Sequence, residues 1–156
     1  FGPMKKRINN PENKWVYNNK IINCLEDIEG YEDIAGFVYC IKRTDINKIY
    51  IGKKILHNSR KTRISKKEKL ETGTRKVFKT IIKESDWQKY WGSSAELKAD
   101  MKITPLQNFE RIILCFCKNK KHLSYCELEQ QVIHDVLRKD TYNANILSRF
   151  FKKDLQ

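Results

Sequence analysis

Long apolar runs are missing from this chain. None approaches 18 residues and no apolar segment marks the N-terminal end, so neither a membrane-spanning helix nor a secretory signal is expected. The expected location is intracellular, in the cytoplasm. Six glycines and three prolines leave no low-complexity linker, and no internal repeat is visible. Five cysteines form an odd set without framework spacing. Cys115-x-Cys117 lies in an apolar run and lacks the second pair of a zinc site, so all five are expected as reduced, mostly buried thiols. No zinc-finger or helix-turn-helix pattern is present. Acidic residues are the last shortage: 19 Asp and Glu face 32 Lys and Arg, a net charge of +13. That imbalance calls for a polyanionic partner. Without a basic amphipathic helix, nucleic acid is favoured over a membrane surface.

At 156 residues, 40% hydrophobic and 33% charged, the chain is long enough for one domain with its own core. Phe1-Gly2-Pro3 ahead of Met4 reads as a remnant of expression cloning. Residues 4–33 read as a polar arm, pinned to the surface by Trp15-Val16-Tyr17 and Ile21-Ile22. Residues 34–148 form the expected domain, and 149–156 a basic tail.

The domain is organised around residues 36–54, two runs rich in β-branched and aromatic residues flanking Thr44-Asp45-Ile46-Asn47. This is a hairpin pattern. A two-residue loop would set Tyr39 opposite Tyr50, and a four-residue loop would set Ile41 there. Because side chains alternate, either loop leaves both tyrosines on one sheet face.

The stretch from Lys53 to Lys83 is the most basic, with Ser65–Leu70 as one or two helical turns ended by Gly73. It reads as a phosphate-contacting loop that contributes affinity without reading sequence. Lys53, Lys61, Arg63, Lys66, Lys67, Lys69, Arg75 and Lys76 are its candidate nucleic-acid contacts, with Lys48 ahead of it. Of Trp87, Tyr90 and Trp91, at least two are expected in the core. Ser93-x-x-Glu96 has capping-box spacing for a helix to about Met101, and Ser124-x-x-Glu127 for one to about Leu137. Phe109–Cys117 reads as a third strand, and Asn145–Phe151 as a last short helix. The fold class is α/β (α+β): a small, mainly antiparallel three-stranded sheet flanked by helices.

Val38-Tyr39-x-Ile41 followed by Tyr50-Ile51-Gly52, with tyrosines eleven apart, resembles the paired motif of the GIY-YIG nucleases. The first half departs from the pattern: Phe37 stands for the usual glycine and Val38 for isoleucine. Lys53-Lys54 after the second half, Tyr90-Trp91-Gly92-Ser93-Ser94, a helical Glu-Gln and the late Tyr142-Asn143 resemble the small phage-encoded branch. The resemblance covers roughly residues 34–148.

This resemblance implies an endonuclease hydrolysing DNA, with one divalent ion (Mg2+ or Mn2+) on a helix glutamate and a tyrosine taking a proton from water. Tyr39 matches that tyrosine, Tyr50 the second, which touches the phosphate or assists the first, and Asn143 the family's late asparagine. A phenol titrates near ~10 unless cations stabilise its anion. The family's basic residue matches Lys54 or Arg60, with His57 as a further candidate. For the metal, Glu129 shares a helical stripe with Tyr125, Val132, Ile133 and Val136. Glu127 aligns with Gln130, Gln131 and His134 and suits the cap. A carboxylate on a sheet-facing stripe requires a cation, which selects Glu129. Two other readings remain: a nucleic-acid-binding protein (DNA or RNA) that keeps the fold without cleaving, and a basic RNA-associated protein. DNA is favoured over RNA.

Overall fold

The computed structural model describes residues 8–155, so the expected cloning remnant at 1–3 and the start of the arm lie outside the described residues. Two three-residue strands come first, β1 (Trp15–Tyr17) and β2 (Lys20–Ile22). They are joined through Asn18 and Asn19 at φ of 48° and 63°, a left-handed conformation that asparagine tolerates. This part of the chain is not pinned to the surface. Trp15 is 1% exposed, its indole N–H donates to the Trp87 carbonyl, and Ile22 and Ile28 join the same core.

β3 (Gly36–Arg43) and β4 (Lys48–Ile55) form the hairpin, paired antiparallel with Ile41 opposite Tyr50 and Tyr39 opposite Gly52. This is the register of the four-residue loop. β7 (Phe109–Cys117) flanks β3 on its other side, where the third strand was expected. Among the described residues the sheet has five strands in the order β2-β1-β7-β3-β4, not three, because β1 adds parallel to β7 and carries β2 with it.

β3 is buried on both faces. Phe37, Tyr39 and Ile41 pack with Trp15, Trp87 and Leu97, while Val38 and Cys40 pack with Leu123, Val136 and Leu137. Trp87 is fully buried, and Tyr90 and Trp91 pack against the core at its margin.

The basic stretch is not a loop. β5 (His57–Arg63) and β6 (Phe78–Glu84) pair over seven residues as a separate two-stranded ribbon, and α1 (Lys66–Thr72) lies between them. Ser65 caps α1 and Gly73, at φ 69°, ends it.

Two helix starts move. α2 (Ala95–Ile103) is capped by Ser94, whose hydroxyl accepts from the Leu97 N–H, so Ser93 is not the cap. α3 (Lys120–Ile133) is capped by Asn119, which accepts from the His122 N–H. Ser124 and Glu127 therefore sit inside the helix, and it stops short of Leu137. In place of the last short helix, β8 (Asn145–Ile146) pairs with β9 (Phe150–Phe151) across Leu147 and Ser148 at φ of 58° and 51°.

All five cysteines are free, but only Cys40 and Cys117 are buried. The sulfurs of Cys115, Cys117 and Cys126 lie within 4.8 Å of one another. Burial pushes the Cys115 and Cys117 thiols up, which keeps them protonated.

Candidate active site

β4 is the outer strand of the sheet, and its free edge needs hydrogen-bond partners. Asn143, 2% exposed, provides them. Its carboxamide accepts from the Ile51 N–H at 2.9 Å and donates to the Ile51 carbonyl at 2.8 Å. Gln131 donates to the same carbonyl at 3.1 Å, and the Tyr142 N–H to the Ile49 carbonyl at 2.8 Å. A cleft of about 700 Å³ opens beside this edge, lined by Tyr50, Lys53, Ser93, Glu127, Gln131 and Asn143 among others.

The two tyrosines share a face, with ring centroids 6.1 Å apart. They are not equally placed. Tyr50 lines the cleft, and its hydroxyl lies 3.0 Å from Ser93 Oγ. Tyr39 is 1% exposed behind it, packed on Trp15 and Tyr90. Burial pushes the Tyr39 phenol far above its ordinary value, and the Tyr50 phenol up as well. Two glycines make room for the pair. A Cβ on Gly52 would stand 2.5 Å from the Tyr39 hydroxyl, and one on Gly92 3.1 Å from the Tyr50 ring.

The helix carboxylates are placed the other way round from expectation. Tyr125, Val132 and Ile133 are 62–65% exposed, and Glu129 is exposed with them. The row that faces the sheet is Leu123, Glu127 and Gln131, spaced four apart as one helix face requires, with Leu123 and Gln131 buried. Gln131 fixes that rotation by its bond to Ile51. Val136 and Leu137 reach the core only after the helix has ended.

Burial pushes the Glu127 carboxyl up, and Lys53 partly offsets this. Lys53 Nζ donates to Ser124 Oγ at 2.7 Å. Glu96, the other cleft carboxylate, is committed to Lys48 at 2.5 Å. A half-buried carboxylate beside open space fits a hard divalent cation such as Mg2+, which takes one or two carboxylates and completes its shell with water and substrate phosphates.

The remaining candidates lie apart. Lys54 bonds Asp86 at 2.6 Å and sits 4.2 Å above the Tyr90 ring, and it does not line the cleft. Arg60 is an exposed ribbon residue opposite Ile81, on a strand and not on a helix. His57 is at the ribbon's base opposite Glu84, its Nε2 buried without a hydrogen-bond partner. Lys61 and Arg63 are on β5, Lys66, Lys67 and Lys69 on α1, and Arg75 and Lys76 on the return to β6. Lys48 is held by Glu96 and Asp140 over the Tyr142 ring.

Ser93, Gln131 and Arg111 complete the surroundings and were not anticipated from sequence. Arg111, 4% exposed, donates to the carbonyls of Asn13, Gln88 and Tyr90 between Trp15 and Trp91. Burial lowers its pKa to about 10, so it stays charged at neutral pH and fixes the turn leading to Gly92 and Ser93. An arginine in an apolar strand was the available signal.

Residues 15–151 match the family described as "Putative endonuclease segE, GIY-YIG domain". The match runs from the first residue of β1 to the last of β9. No curated protein and no solved structure matches the chain significantly.

Proposed function

The chain belongs to this GIY-YIG endonuclease family, and we propose that it hydrolyses DNA phosphodiester bonds in the cleft beside β4, with one divalent cation (Mg2+ or Mn2+) on Glu127. One observation carries this reading: Tyr50, Lys53 and Glu127 converge on a single cleft at an edge secured by Asn143. When bound, the cation would supply charge neutralisation at the phosphate and at the leaving oxygen. The chain's own residues supply the rest. Lys53 presents a second positive charge to a phosphate oxygen. Tyr50, held by Ser93, faces the attacking water and takes up its proton as the phenolate, its own proton having gone to solvent beforehand. The positive charges gathered around the substrate oppose the effect of burial on this phenol. Tyr39 acts through Tyr50, as a positioning residue behind it.

Arg60 stands outside the cleft, and this favours the second reading, DNA binding without cleavage. Supercoiled plasmid incubated with the protein in Mg2+, Mn2+ or EDTA separates the two. The proposal expects nicked or linear product with either metal and none in EDTA. Bound but intact plasmid in every condition would leave binding alone.

A further inference from the structure

The ribbon of β5 and β6 has little to do with the fold that carries it. Every residue of β6 is exposed, as is most of β5. It is joined at its base through the Ser85 N–H to the Leu56 carbonyl. A two-stranded ribbon is marginally stable alone, and this one leaves apolar side chains exposed on both faces, Ile81 at 36% on one and Phe78 and Ile82 at 56% and 70% on the other. Such an element is built to be covered. Residues 57–84 carry ten Lys or Arg against three Glu, so the covering partner is a polyanion.

We infer that this ribbon enters the major groove of duplex DNA and reads base edges with the face bearing Asn58, Arg60 and Thr62. The inference rests on the proposal that DNA is the substrate of the cleft. The register sets Asn58 opposite Lys83, Arg60 opposite Ile81 and Thr62 opposite Lys79, so these six side chains share one face. None of these six side chains is a carboxylate. Its side chains match what the groove displays: Asn can pair bidentately with adenine, Arg with guanine, and Ile or Thr can meet the thymine methyl. The B-form major groove, roughly 12 Å wide, admits a two-stranded ribbon. The deep, narrow major groove of A-form RNA does not. Lys79 also pairs with Glu68, which ties α1 to the ribbon and puts one carboxylate at the Thr62–Lys79 end of this face.

The chain limits how far the reading can lie from the cut. Arg60 follows Lys53, a residue of the cleft wall, by seven positions, at most about 25 Å of chain. The base pairs read therefore lie within roughly one helical turn of the scissile phosphate.

The test is selection of bound duplexes from a random-sequence pool, part of it methylated at guanine N7. The full chain is used in EDTA, where binding does not depend on cleavage. The expected result is a short motif whose guanines cannot be methylated without loss of binding. Asn58→Ala and Arg60→Ala should each relax preference at one base pair by roughly 10-fold to 100-fold. Ser59→Ala and Thr80→Ala, on the opposite face, should keep the motif. Absence of a motif, indifference to N7 methylation, or a uniform affinity loss in Asn58→Ala and Arg60→Ala would overturn the inference. So would equal binding of double-stranded RNA. A motif bound by a chain that cuts nothing in Mg2+ would uphold the ribbon's role and overturn the cleavage proposal.

Discussion

The hydroxyl of Tyr39 lies against Gly52, its partner across the hairpin, with no space for even a methyl group between them. The glycine of the Tyr-Ile-Gly run is thus a seat for the buried tyrosine. A Cβ there would also stand 3.0 Å from the Tyr50 ring. Gly52→Ala should displace both phenols at a cost of about 1–3 kcal/mol, the usual range for overpacking. Thermal melting and plasmid cleavage together check this, and a variant that melts and cuts like wild type would show that the seat is not required.

The two phenols should respond differently to loss of their oxygens. Tyr50→Phe leaves the ring in place and should slow single-turnover cleavage by roughly 100-fold to 10,000-fold, the range for loss of a proton-transfer group. Tyr39→Phe should cost less, since that oxygen is buried behind Tyr50. A larger loss in Tyr39→Phe would return the proton-accepting role to the inner tyrosine.

Part of this site was legible in the sequence. The hairpin was, because β-branched and aromatic runs on either side of Thr44–Asn47 admit few other structures, and the pairing of Tyr39 and Tyr50 on one face follows from alternation. Trp15 was not legible as core, because β1 is three residues long and joins β7, almost a hundred residues later, in parallel. The ribbon was hidden for a different reason. With no buried face it shows no alternation of polarity, and its basic residues read as a loop. Glu127 was misplaced by two coincidences. Ser124-x-x-Glu127 has the spacing of a cap, and Tyr125, Val132 and Ile133 form an apolar stripe that faces outward. Hydropathy does not distinguish an outward apolar stripe from an inward one.

Ionisation of Glu127 should carry a stability cost with a definite sign. Burial raises its pKa in the folded chain above the ordinary 4.5. The folded state then holds this proton more tightly than the unfolded state does. Its contribution is favourable below pH 4.5 and is lost as pH rises through the folded pKa. In metal-free buffer Glu127→Gln should therefore melt higher than wild type at pH 7, with the gain shrinking toward pH 4. A lower melting point at pH 7 would mean that attraction to Lys53 outweighs burial.

Salt dependence should report the lysines of α1. Each phosphate neutralised on duplex DNA contributes a slope of about −0.9 in log affinity against log salt. Replacing Lys66, Lys67 and Lys69 by Gln should flatten the slope by up to about 3 and leave the position of cleavage unchanged. An unaltered slope would make α1 a solvated surface.

Everything proposed for the cleft depends on which helix carboxylate faces it. The direct measurement is single-turnover DNA cleavage in Mg2+ at saturating protein, comparing Glu127→Gln with Glu129→Gln and confirming by melting that both are folded. Glu127→Gln should abolish cleavage while binding DNA at least as tightly as wild type, and Glu129→Gln should cut at the wild-type rate. A folded Glu127→Gln that still cuts, or an inactive Glu129→Gln, would contradict the account.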